Sequence, residues 1–169
     1  LKEVEKICSD TDDDAAITVG EKHVMFAMGG TTLITRRLEG EFLDYKKAVP
    51  RNNPISLIVN KKELQSSIER VSLIIDDRIK TPVRCTFGDG KATFTTNTTI
   101  GTATDVCTIE GNGENLEIGF NNRYLLDAIK AAPSEVVKLE INNGVSPCII
   151  VPAEEKENFL FMVLPVRLR

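Results

Sequence analysis

The stretch from residue 54 to residue 169 carries one string of elements twice, which limits the chain to folds built from paired copies of a single unit. Ile55-Ser56-Leu57-Ile58-Val59 alternates as a short strand, and Asn60 then stands where a helix N-cap belongs. Leu116-Glu117-Ile118-Gly119-Phe120 and Asn121 repeat the arrangement. Asparagine suits the cap because its side-chain oxygen accepts a backbone N–H that the first helical turn leaves unpaired. The first helix is expected over 61–75, with Leu64, Ile68, Val71 and Ile75 on one stripe. The second is expected to run to about 132, with Leu125, Ala128, Ile129 and Ala132 on its stripe and Pro133 ending it.

Three strand-like runs follow each helix. After the first they fall at 83–87, 92–96 and 102–109, with Gly88-Asp89-Gly90 as a hairpin turn. After the second they fall at 136–141, 145–151 and 159–163, with Asn142-Asn143-Gly144 as the turn. The repeated unit is β-α-β-β-β, and the fold class is α+β, with helices on one face of antiparallel sheets. A third, incomplete copy comes first. Leu1, Val4 and Cys8 start a helical stripe, strands are expected at 16–19, 23–28 and 31–38, and turns at Gly20-Glu21 and Gly29-Gly30. Residues 1–50 are therefore expected to hold the second half of one two-unit domain plus a connector, and 51–169 a complete two-unit domain. The connector, with its charges and two prolines, is read over 39–54. With no Met at its start and a helical pattern opening at once, the chain is read as part of a longer one.

No apolar run approaches the roughly 20 residues that span a bilayer, so no membrane partner is expected. A net charge of −4 argues against a surface that is basic all over, but leaves room for one basic face. Cys8, Cys85, Cys107 and Cys148 are far apart, form no CxxC pair and, for three of them, sit in apolar strand-like runs. Small buried thiols in a reducing cytoplasm are the reading.

Arrangements that carry chemistry are sparse. His23 is the one histidine, and without a second or a cysteine pair no zinc set can be assembled. Asp12-Asp13-Asp14 lacks the alternating spacing and closing Glu of a calcium loop and reads as a solvated turn. Gly88-Asp89-Gly90-Lys91 joins two strands rather than a strand and a helix, so it is a hairpin and not a phosphate loop. No metal, no cofactor and no catalysis are expected; the rival reading is an enzyme using the Asp12-Asp13-Asp14 cluster or an exposed cysteine. What the chain does offer are two surfaces. Lys2 and Lys6, Lys62 and Arg70, and Arg123 and Lys130 lie off the apolar stripes of three equivalent helices, a pattern suited to tracking phosphates without reading bases. The end of the chain, from Phe159 through Leu164-Pro165-Val166 to Arg169, stays apolar past its expected strand. Residues 159–163 read as a final core strand, while Leu164-Pro165-Val166 beyond it, beside Tyr124, would suit a hydrophobic peptide pocket.

Three segments carry a resemblance to a known family: Leu38-Glu39-Gly40-Glu41-Phe42-Leu43-Asp44-Tyr45, Ile118-Gly119-Phe120-Asn121-Asn122-Arg123-Tyr124-Leu125-Leu126-Asp127, and Val163-Leu164-Pro165-Val166-Arg167-Leu168. In content and order they resemble the beta subunit of bacterial DNA polymerase III, the sliding clamps, over the whole chain. The resemblance implies the DNA-clamp fold, with three domains per subunit, each of two β-α-β-β-β units. Two such subunits close head to tail into a homodimeric ring with helices lining the hole. It implies a non-catalytic processivity factor that encircles double-stranded DNA without sequence preference. Its partners would be the polymerase III alpha subunit, the clamp loader and other proteins carrying clamp-binding motifs. The location implied is the bacterial cytoplasm, nucleoid-associated during replication. Residues 1–50 would be the second half of the middle domain and 51–169 the third domain.

Individual roles follow by the same resemblance. The motif-binding cleft maps onto Leu43, Lys47 and Ala48 of the connector, Asn121 and Tyr124 at the helix start, Val145 and Pro147, and Met162, Val163, Leu164, Pro165, Val166 and Arg167. The family usually has proline at Leu43 and arginine at Lys47; the second change loses a planar donor fork. The basic residues Lys2, Lys6, Lys62, Arg70, Arg123 and Lys130 would face DNA. Leu73, Ile74 and the edge strand 102–109 with Asp105 would meet the other subunit, although few acids lie along that strand. Arg169 extends past the family's common ending. With the first domain and the first half of the middle domain outside the sequence, the chain is expected not to close a ring by itself and to bind motifs weakly. The alternative is a repeat scaffold or protein-binding module without a DNA role.

Overall fold

The computed structural model describes residues 2–8, 12–76, 81–111, 113, 115–154 and 156–168. The expectations placed on Leu1 and Arg169 lie outside them. The chain divides into two compact units, Leu1–Leu43 and Asp44–Arg169, so the division falls ahead of the boundary expected at residue 50.

The first unit holds α1 (Lys2–Cys8) and an antiparallel sheet of β1 (Ala16–Val19), β2 (His23–Met28) and β3 (Thr31–Arg36), in that spatial order. Cys8 Sγ lies 3.1 Å from Met28 Sδ, which fixes α1 against the buried side chains of β2. β3 stops at Arg36 rather than at 38: the Arg37 guanidinium turns back to donate to the Gly20 and Glu21 carbonyls at 3.0 and 3.2 Å.

The second unit opens with one helical turn inside the expected connector, α2 (Tyr45–Ala48). Then come β4 (Ile55–Asn60), α3 (Lys61–Ser72), β5 (Val83–Gly88), β6 (Lys91–Thr98) and β7 (Gly101–Gly111). The second copy gives β8 (Leu116–Phe120), α4 (Asn122–Ala131), β9 (Val136–Ile141), β10 (Cys148–Pro152) and β11 (Phe161–Val163). All eight strands form one antiparallel sheet in the order β11-β10-β9-β4-β7-β6-β5-β8. The copies interlock: β4 pairs with β9 of the other copy and β8 with β5, so each unit lends its first strand to its neighbour. At the seam β4 also pairs with the end of β7, through Leu57↔Gly111, Ile58↔Glu110 and Val59↔Ile109.

Alternation along the strands sends Leu57, Val83, Phe94, Ile118, Val137 and Ile141 into a core that α3 and α4 cover with Leu64, Ile68, Val71, Leu125 and Ile129. Each such burial stabilises by about 1.5–3 kcal/mol. Lys61 Nζ donates to the Ala132 carbonyl at 2.8 Å and Lys130 pairs with Glu69 at 2.8 Å, tying the two helices together.

Two further boundaries differ from the sequence pattern for identifiable reasons. α3 ends at Ser72, short of 75. The Ser72 hydroxyl donates to the Ile68 carbonyl at 2.6 Å and competes with the helical ladder. The following N–H groups of Leu73 and Ile75 bond three residues back, tightening the last turn. β10 begins at Cys148 rather than 145. Asn143 Oδ1 accepts from the Val145 N–H and the Ser146 hydroxyl, both at 3.0 Å, which curls 143–146 into a turn, and Pro147 has no N–H to pair.

Candidate docking groove

Asn121 caps α4 as the sequence implies: its Oδ1 accepts from the Arg123 and Tyr124 N–H groups at 3.0 and 3.3 Å. That cap sets the start of the helix, and with it the outward direction of Tyr124, which is 66% exposed. α4 packs beside β11, and between them and the segment after β11 runs an open groove of about 1080 Å³. Its walls are Asn121, Tyr124 and the run Met162, Val163, Leu164, Pro165 and Val166. Leu164 is 64% and Leu160 48% exposed, so both present apolar surface at the groove. The segment beyond β11 is held at a single bridge, where the Val166 N–H donates to the Gly119 carbonyl at 2.7 Å.

The groove also has members that sequence reasoning passed over: Ile75, Asp127, Ala128, Ala131, Leu160 and Phe161. Ala128 and Ala131 follow Tyr124 by four and seven residues and so share its helix face, a signal present in the sequence. Arg123, read as a DNA contact, lines the groove. Lys47, Ala48, Val145, Pro147 and Arg167 do not line it. Lys47 lies on α2, exposed, with its ammonium 3.2 Å from Asp44. Val145 is in the turn before β10 and is exposed. Leu43 belongs to the first unit, where it is also exposed.

The basic residues are less available than their sequence positions suggest. Lys6 pairs with Glu3 at 3.1 Å, Lys130 with Glu69, and Arg70 with Asp105 through two hydrogen bonds. Lys62 and Lys2 are exposed on their helices. Lys130, with help from Gln65, holds the Glu69 carboxyl below its usual range. Lys6, Arg70 and Lys130 are thus each paired with a carboxylate of the chain itself.

Arg70 and Asp105 were read onto different surfaces, and the structure joins them. The Asp105 carboxylate also accepts from the Ser67 hydroxyl at 3.0 Å and from the Val106 N–H at 2.7 Å. The Arg70 guanidinium, then the Val106 N–H and the Ser67 hydroxyl, outweigh the opposing effect of burial and hold the carboxyl at about 2. The folded value is depressed, so the stabilisation is present above the unfolded value near about 4 and is lost as pH falls towards the folded one. Urea midpoints of the wild-type chain and Asp105→Asn are expected to differ at pH 6 and to converge near the folded value of about 2. The difference is modest, because the Arg70 side chain is 56% exposed. Parallel midpoints across that window would remove the ion pair from the stability of this unit.

Near that pair, β7 pairs only with β6 from Gly101 to Thr108, and joins β4 from Ile109 onward. The expected edge strand is therefore open along most, but not all, of its length. Leu73 is 84% exposed, and Ile74 shares a hollow of about 450 Å³ with the exposed Ile100. Asp105 is the member of the expected interface whose charge is already used inside the chain.

Cys85, Cys107 and Cys148 are buried thiols. Burial pushes Cys107 and Cys148 up to about 12 and Cys85 higher still, so none is a thiolate near neutral pH. Among the described residues no three His, Cys, Asp or Glu side chains are placed to hold a metal ion, and no helix is long and apolar enough to cross a membrane.

Residues 46–167 match the family model described as the DNA polymerase III beta subunit, C-terminal domain. The chain is 31% identical over 169 residues to the beta sliding clamp of Staphylococcus epidermidis and 30% identical to that of Staphylococcus aureus, covering 99% of this chain and 45% of each relative. It thus spans about half the length of the curated relatives it matches. Among solved structures, a sliding clamp (DNA polymerase III subunit beta) from Bartonella birtlesii bound to griselimycin superposes with a TM-score of 0.85 at 31% identity, over 99% of this chain and 45% of that one. A putative DNA polymerase III beta subunit from Eubacterium rectale gives 0.84 at 28% identity, over 98% and 45%.

Proposed function

We propose, from the premise that this chain belongs to the DNA polymerase III beta-subunit family, that it is the docking portion of a sliding clamp. In that reading it catalyses nothing. It contributes to a homodimeric ring around double-stranded DNA in the bacterial cytoplasm, at the nucleoid. It tethers the polymerase III alpha subunit, the clamp loader and other motif-bearing proteins. The observation that carries the reading is the groove beside α4, where Tyr124, Leu160 and Leu164 keep apolar surface exposed to water. An extended peptide with two or three apolar side chains is the occupant such a groove fits. The internal ion pairs of Arg70 and Lys130 favour weak phosphate contact. A tether that must slide needs contact of that kind. The remaining positions that the resemblance assigns to motif binding, Leu43, Lys47, Ala48, Val145, Pro147 and Arg167, do not line the groove; they and the subunit-interface positions Leu73, Ile74 and Asp105 belong to the same proposal.

An NMR titration of the labelled chain with a short peptide containing Gln, Leu and Phe tests it. Shifts should centre on Tyr124 and Met162 to Val166, and Met162→Ala should weaken binding about tenfold, as expected for a truncated contact residue. Shifts scattered over the surface, or unchanged affinity in Met162→Ala, would count against the groove.

A further inference from the structure

The groove's outer wall is chain that has already left the sheet, so something must hold it in place. The internal repeat shows what. Ile58 on β4 and Gly119 on β8 both stand two residues before a capping asparagine, Asn60 and Asn121, and are equivalent positions of the two copies. Ile58 pairs with Glu110 within a three-residue ladder to β7. Gly119 pairs with Arg84 of β5 on one side and, on the other, makes a single bridge to Val166. Pro165 has no N–H to offer, and the ladder does not form around it. The end of the chain therefore repeats the β7 seam in reduced form.

At Ile58 this arrangement accommodates a full side chain. At Gly119 it does not. A Cβ placed there would lie 2.6 Å from Leu168 Cδ2, 2.7 Å from the Val166 carbonyl oxygen and 2.9 Å from Leu168 Cγ. The backbone angles of Gly119 are not in the left-handed region. Conformation alone would thus tolerate a larger residue, and the three nearest obstacles all belong to the tail. Leu168 rests against Gly119 while the Val166 N–H reaches its carbonyl. Leu164 and Pro165 are suspended between that clasp and the end of β11.

We propose that Gly119 is a positioning residue of the docking groove: its missing side chain is the seat of the tail, and the seat sets where Leu164 stands. The role rests on the docking function proposed above; the seating itself does not. Two readouts on the full chain separate them. Amide hydrogen exchange should show Val166 protected in the wild-type chain and exchanging at least about tenfold faster in Gly119→Ala, with β5 and β6 amides unchanged, because only a local opening is released. Peptide affinity should fall about tenfold in the same variant, and in the same direction in Leu168→Ala, which removes the other half of the contact without touching β8. Val166 remaining protected in Gly119→Ala would overturn the proposal. So would β5 and β6 amides loosening together with the tail. A wild-type chain that binds no peptide would instead sink the docking function, and the exchange data would still decide whether Gly119 seats the tail.

Discussion

Gly111→Val is expected to lower the stability of the second unit by at least about 4 kcal/mol. Gly111 ends β7 with φ near +132°, a conformation costing a branched residue roughly 1–3 kcal/mol. The steric demand is harsher. A Cβ there would fall 2.0 Å from the Ser56 carbonyl oxygen and 3.1 Å from Leu57 Cα. Both are backbone atoms of β4, which pairs with β7 on one side and β9 on the other, so neither can retreat without opening a ladder. Lost ladder bonds add about 1 kcal/mol each. The β4–β7 ladder joins the two halves of the eight-stranded order, so the damage falls on a joint of the unit. Urea unfolding followed by far-UV circular dichroism should show a midpoint at least about 1 M lower, given slopes of roughly 1–3 kcal/mol per molar for small domains. Glu110→Gln, at an exposed neighbouring position, should leave the midpoint in place. A wild-type midpoint for Gly111→Val would mean that the seam is not what holds the sheet together.

That seam marks the limit of what the sequence discloses. Helix starts were legible because a cap is a local device: Asn60 and Asn121 announce α3 and α4, and both side chains accept the N–H groups they were expected to. Core membership was legible from alternation and helical stripes, since Leu64, Ile68, Val71, Leu125 and Ile129 need only face inward. The exchange of first strands was not, because a strand alternates in the same way whichever neighbour it pairs with. The Arg70–Asp105 pair escaped for a related reason. Each residue alone looks like a charge on a polar face, and only the meeting of α3 with β7, 35 residues apart in sequence, makes them partners. The groove was half legible. Tyr124 and the apolar tail stood out because apolar residues beyond the last strand are uncommon, whereas Ala128 and Ala131 read as stripe or filler until β11 is laid beside them. The early ends of α3 and the late start of β10 came from single side chains, Ser72 and Asn143, competing for backbone groups.

Leu164→Asp is expected to abolish peptide docking, by about 100-fold or more, while leaving the fold intact. Leu164 follows β11 and is 64% exposed, so little packing is lost with it, and a surface substitution of this kind stays within about 0.5 kcal/mol of wild-type stability. In a complex the accounting differs. A leucine buried against a partner contributes about 1.5–3 kcal/mol, and that is forfeited. The aspartate must in addition lose water against apolar neighbours, Tyr124 and Leu160 among the groove residues, with no cation opposite it in the Gln-, Leu- and Phe-containing peptide. The two effects together reach the roughly 3 kcal/mol that two decades in affinity require. Titration of Leu164→Asp with the peptide, alongside a urea curve for the same protein, separates binding from folding. Full-strength binding by a folded Leu164→Asp chain would place the docking surface elsewhere on the molecule. Leu164→Met, which keeps the volume and the apolar character, should bind within a few-fold of wild type, and that contrast ties the loss to the chemistry of the wall rather than to any change at the position.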